Sequence, residues 1–102
     1  LSVAMDLLGG KWKAVILYHL QGGPQRFTVL HRLLPGATEA VLSRRLQQLE
    51  QDGLLSRQGF GEKPPLKTEY ALTDFGRSVL PALNALLQWG NHVVMERGQF
   101  VD

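Results

Sequence analysis

Apolar positions between residues 38 and 53 recur at the spacing of a helix. At about 100° per residue, Leu42, Leu46 and Leu49 share one side, with Val41 at its edge. Thr38 is placed to cap the first turn, and Glu39 suits the positive end of the helix. Gly53 supplies the left-handed residue that commonly ends one. The opposite side carries Ala40, Ser43, Arg44, Gln47 and Gln51. These are short or amide-bearing, with one arginine at the centre and no acid among them. Arg, Gln and Ser are the side chains that pair with base edges in a major groove.

The same pattern predicts the flanking elements. Residues 1–8 read as a short helix whose sticky stripe is Val3 or Ala4 with Leu7 and Leu8, ended by Gly9-Gly10. Residues 11–20 are apolar on most sides, through Trp12, Val15, Ile16, Leu17, Tyr18 and Leu20, which predicts a buried helix. Gln21-Gly22-Gly23-Pro24 closes it. A third helix is expected over 28–34, capped by Thr28, with Phe27, Leu30, Leu33 and Leu34 inward. Pro35-Gly36 then makes a turn into the central helix. Two helices joined by a short glycine-containing turn, the second bearing a polar face, form a helix-turn-helix.

After Gly53 the period changes. Residues 54–58 and 68–72 read as strands, the second with Thr68, Tyr70 and Leu72 on one face. Residues 59–67, with two glycines and two prolines, form the hairpin tip, and Arg57, Lys63 and Lys67 give it cations. A hairpin directly after a reading helix is a wing. Thr73 caps a last helix that runs to about Met95 or Gly98, which Pro81 kinks or splits near Leu80. Leu83, Leu86, Leu87, Trp89, Val93 and Val94 on it, with Val79 and Leu80, cover more than one face. So small a domain cannot hide them all, so a second copy is expected to bury the surplus, joined by the first helix.

Composition narrows the class. The 102 residues suit one domain, and 44% apolar content supports a small core. The net charge of +2 permits nucleic-acid binding without demanding it. The absence of cysteine excludes disulfides, a thiol nucleophile and thiolate metal sites within these residues. No apolar run reaches the roughly 20 residues of a membrane span, and no signal peptide is evident, so a cytoplasmic protein is expected. His19, His31 and His92 are never three or four apart, which gives no helical metal pair. Gly9-Gly10-Lys11 lacks the rest of a phosphate-binding loop, and Ser43 has no histidine beside it in sequence. No catalytic residue, metal or cofactor is expected.

The order helix, helix, helix-turn-helix, wing, long helix closely resembles the HxlR-type winged helix-turn-helix regulators. The resemblance rests on residues 6–12 (Asp-Leu-Leu-Gly-Gly-Lys-Trp), 23–27 (Gly-Pro-Gln-Arg-Phe) and 34–36 (Leu-Pro-Gly). It continues through residues 42–54, the Pro64-Pro65 pair, residues 69–73 and residues 76–78. It implies a mainly α fold with a small β-hairpin (α+β), a DNA-binding transcription regulator, and a dimer joined through terminal helices 1–8 and 74–98 on a two-fold symmetric operator. Some relatives sense electrophiles or oxidants through a cysteine just ahead of the first helix; residues 1–102 carry no thiol for that role. On this reading Arg44 reads bases, flanked by Ala40, Ser43 and Gln47. Arg57, Lys63 and Lys67 on the wing, with Arg26 and Thr28 near the third helix, hold phosphates. Arg45 is read as structural, paired with Glu50 or Asp52. Val3, Leu7, Leu83, Leu86, Leu87, Trp89, Val93 and Val94 form the dimer interface.

Two other readings remain open from sequence. A winged helix also serves protein–protein contacts, and gel shifts at low salt separate that role from DNA binding. A small-molecule effector could bind between the terminal helices, lined by Trp12, Tyr18, Phe75 and Trp89.

Overall fold

The computed structural model describes residues 2–9, 12–60 and 67–97. In chain order the elements are α1 (Ser2–Leu8), α2 (Lys13–His19), β1 (Gln25–Arg26), α3 (Phe27–Leu33) and α4 (Glu39–Gln51). There follow β2 (Leu55–Phe60), β3 (Lys67–Leu72), α5 (Asp74–Arg77) and α6 (Leu80–Arg97). The core is leucine-rich. Ile16, Leu17 and Leu20 from the α2 segment meet Leu30 and Leu34 from α3 and its exit, and Leu42, Leu46 and Leu49 from α4. All eight are fully buried. Together they make the packed apolar wall that removes the inner faces of three helices from water.

The helix signals are resolved one by one. Thr38 caps α4, its hydroxyl accepting from the Val41 N–H at 3.1 Å. Gly53 takes a positive φ of 80° just beyond the helix, where a residue without Cβ is unstrained. The expected Thr28 cap is absent. Helix α3 starts one residue earlier, at Phe27, with Arg26 at the cap position in an extended conformation and no side-chain bond. The cause is that Arg26 belongs to β1, so pairing in the sheet decides where the helix begins. Leu33, expected inward, is 43% exposed. Leu30 and Leu34 take the inner line of α3, and Leu33 lies about 100° from Leu34 around the helix.

The hairpin is part of a three-stranded antiparallel sheet, order β1-β3-β2. Pairing of β2 with β3 runs from Leu55↔Leu72 to Phe60↔Lys67, so the strands extend further toward the tip than their alternation predicted. On β3, Tyr70 and Leu72 are buried on one face, as the alternation required, with Thr68 half-buried on the same side. The short β1 joins through Gln25↔Tyr70 and Arg26↔Glu69. Two residues are too few to show a strand period, which is why the sequence gives no sign of it.

One joint ties the wing to the rest. The Thr73 hydroxyl donates to the Gly53 carbonyl at 2.6 Å and accepts from the Gly76 N–H at 3.0 Å. The Thr73 N–H donates to the Leu54 carbonyl at 3.1 Å. Thr73 thus caps α5 and latches the exit of α4 at once. Ser78 and Val79 form a turn between α5 and α6, and α6 begins at Leu80, with Pro81 in its first turn where a missing N–H costs nothing. Leu83, expected at a dimer interface, is 4% exposed because it packs into this chain's own core. Helix α6 lies on α2 there.

A Cβ added to Gly76 would stand 2.1 Å from the Leu54 carbonyl oxygen, a backbone atom that cannot swing aside. Gly76→Ala is expected to lower the unfolding free energy by about 3 kcal/mol, as overpacking against backbone does. Urea unfolding followed by circular dichroism measures this, and an unchanged midpoint contradicts the rigid joint.

Candidate nucleic-acid interface

Because Leu42, Leu46 and Leu49 are held inside, the rotation of α4 about its axis is fixed. Ala40, Ser43, Arg44, Gln47 and Gln51 consequently all point to solvent. The entry to α4 is equally constrained. The Ala37 N–H bonds the Leu34 carbonyl at 2.9 Å, and both residues are buried. His31 Nε2 donates to the Ala37 carbonyl at 3.1 Å, so α3 is clamped across the turn to the start of α4. The Phe27 ring lies 6.2 Å from that imidazole. Trp12 closes the outside of the turn: a Cβ on Gly36 would lie 3.0 Å from its ring.

Beside the exposed face of α4 the chain forms a polar cleft of about 260 Å³. Ser43, Gln47 and Glu50 line it from α4, Arg57 from β2 and Tyr70 from β3. The Arg57 Nε lies 3.7 Å from Glu50 Oε2. Arg57 stands opposite Tyr70 in the strand register. Burial pushes the Tyr70 hydroxyl above its ordinary range; the Arg57 charge and hydrogen bond pull the other way, and the Glu50 charge adds to the rise. Tyr70 is therefore protonated at neutral pH and free to accept from the guanidinium.

This cleft corrects the sequence reading twice. The outer face of α4 is not free of acid. Glu50 follows Ser43 by seven residues, two helical turns, and sits on the same edge; that spacing was the available signal. Tyr70 carried none, since a strand's partner across a helix is a tertiary fact. Arg45 does not pair with Glu50, whose carboxylate faces Arg57. Its Nη1 donates to Gln48 Oε1 at 2.9 Å, while its Nε is buried without a hydrogen-bond partner.

The other expected phosphate contacts do not line this cleft, and in the strand register Arg26 and Lys67 fall on the sheet face opposite Arg57 and Tyr70. Arg26 is half-buried on β1, and Thr28 is exposed in the first turn of α3. Lys67 is exposed at the start of β3, and Lys63 lies outside the described residues. Of the expected dimer residues, Val3, Leu86, Leu87 and Trp89 are exposed, Leu7 and Val93 are half-buried, and the Val94 side chain lies outside the description. The four aromatics expected around an effector do not meet. Tyr18 lines a groove of about 340 Å³ between α2 and α6, whereas Phe75 lines a separate hollow against α1. Trp12 packs at the helix-turn-helix, and Trp89 is 65% exposed on α6. Among the described residues no group of three acidic, histidine or cysteine side chains could hold a metal, and no helix is long and apolar enough to cross a membrane.

A buried two-helix turn presenting one polar helix face, followed by a strand pair at its flank, is a winged helix-turn-helix. The chain belongs to the HxlR-like helix-turn-helix family, whose model matches residues 7–98. It is 42% identical over 91 residues to the HTH-type transcriptional regulator YkvN of Bacillus subtilis, covering 89% of this chain and 76% of that one. It is 44% identical over 89 residues to an HTH-type transcriptional regulator of Methanothermobacter thermautotrophicus, covering 87% and 67%. Among solved structures it superposes on the redox regulator HypR in its reduced form with a TM-score of 0.86 at 37% identity, covering 94% and 96%. The protein is a transcriptional regulator of the helix-turn-helix type.

The His31 clamp is testable. His31→Leu leaves the Ala37 carbonyl without its side-chain donor and should cost about 1–3 kcal/mol. Denaturant titration gives the value; no loss would mean that the imidazole does not hold the turn.

Proposed function

We propose that the protein binds double-stranded DNA as a homodimer and reads a palindromic operator. The observation that carries this reading is the outward face of α4, where Ser43, Arg44 and Gln47 are exposed while three leucines pin the helix from behind. On this reading residues 1–102 act as one DNA-binding domain. Arg44 makes a bidentate contact to guanine, with Ala40, Ser43 and Gln47 on flanking bases. Arg26, Thr28, Arg57, Lys63 and Lys67 hold phosphates and set register without reading sequence. No small-molecule effector is assigned.

The apolar surface left on the chain supports the dimer. Val3 and Met5 on α1 and Leu86, Leu87, Trp89 and Met95 on α6 are all exposed. A second copy that covers them sets the two α4 helices about 34 Å apart, one duplex turn, so that they enter successive major grooves on one face. Anything that shifts α6 changes that spacing and with it the fit to both half-sites.

Selection of duplexes from a random pool tests the reading, since a two-fold repeat with that spacing must emerge. Arg44→Ala should lose about 1–3 kcal/mol of discrimination between the selected and a scrambled duplex; equal weakening on both makes Arg44 a phosphate anchor instead. Leu86→Glu with Trp89→Glu should turn a dimer into a monomer in sedimentation and weaken binding to the full site. A wild-type chain that sediments as a monomer at all concentrations removes the dimer.

A further inference from the structure

We propose that Glu50 is a positioning residue for DNA reading: with Tyr70 it aims the Arg57 guanidinium at the backbone phosphate beside the reading helix, and so contributes specificity without touching DNA. This rests on the DNA-binding reading above and assigns a role to a residue that reading leaves out.

The geometry carries it. Glu50 is a carboxylate on the reading helix, within the cleft that Ser43 and Gln47 also line. A carboxylate at such a place repels any phosphate that approaches it. Its side chain is 35% exposed and lies 3.7 Å from Arg57 Nε. Tyr70, buried beneath, stands directly across the strand pair from Arg57 and lines the same cleft. Arg57 is therefore held from two elements, α4 and β3, while its own backbone is on β2. A guanidinium has five N–H donors in a rigid fork, so these two partners leave donors for a third. An arginine already oriented loses less freedom on meeting a phosphate than a lysine on an open strand. A phosphate contact at this point, next to Ser43 and Gln47, fixes how α4 is seated in the groove.

Two opposite effects follow from neutralising Glu50. On DNA of the wrong sequence only net charge counts, so losing a carboxylate strengthens binding. On the right sequence Arg57 loses its aim and binding weakens. The ratio falls from both sides, which neither a purely structural nor a purely repulsive role for Glu50 produces.

The experiment compares wild type, Glu50→Gln, Arg57→Ala and the double variant by fluorescence anisotropy over a salt series. The probes are a duplex enriched by the wild-type protein from a random pool and a scrambled duplex of the same composition. Glu50→Gln should cut the affinity ratio about fivefold, weaker on the selected duplex and tighter on the scrambled one. Arg57→Ala should flatten the salt dependence by about one unit of slope on the selected duplex, and adding Glu50→Gln to it should reduce the ratio no further. Equal tightening on both duplexes, an unchanged ratio, or a slope insensitive to Arg57→Ala each overturns the proposal. Wild-type protein that does not discriminate between the two duplexes overturns the DNA-reading assignment itself, and this one with it; discrimination without the Glu50 effect overturns only this one.

Discussion

The structure depends on the burial of one helical stripe. Leu42, Leu46 and Leu49 are each removed from water against Ile16, Leu17, Leu20 and Leu30. Each buried leucine contributes on the order of 2 kcal/mol relative to exposure. Rotating α4 by half a turn would expose them and bury an arginine and two amides instead. The hydrophobic effect itself has no direction, but on an amphipathic helix it becomes an angular restraint. That restraint is what presents Ser43, Arg44 and Gln47 outward together.

A second constraint acts on the wing. Gly53, Leu54, Thr73 and Gly76 converge where α4 ends, β2 begins and β3 returns. The bonds of Thr73 to Gly53 and Leu54, and the close approach of Gly76 to Leu54, leave little room for the strands to swing against the helix. The cleft between α4 and the sheet is thus held open at a set width. Charges on its two walls, Glu50 and Arg57, meet because this joint puts them there. The ion pair itself is long and partly solvated, so it contributes orientation more than stability.

The terminal helices follow a different logic. Helix α6 uses Leu83 to dock on α2, yet leaves Leu86, Leu87 and Trp89 in solvent, and α1 leaves Val3 and Met5 there. A chain of 102 residues has limited interior to offer. The core is already filled by the helix-turn-helix and the base of the wing. Apolar surface on α1 and α6 is therefore left over by the packing of the centre.

What the sequence determined by itself was whatever local period and capping chemistry encode. The face of α4, its Thr38 cap, the left-handed Gly53, the strand face of Tyr70 and Leu72, the Thr73 cap and the break near Leu80 all follow from spacings of a few residues. What the tertiary structure alone decided depends on partners distant in sequence. Pairing with β3 made β1 from Gln25 and Arg26 and moved the start of α3 ahead of Thr28. The inward turn of Leu83 came from α2, and the cleft that joins Glu50, Arg57 and Tyr70 came from three separate elements. A helix period records which residues share a side, but not what is packed against that side, because the neighbour is chosen by the folded chain as a whole.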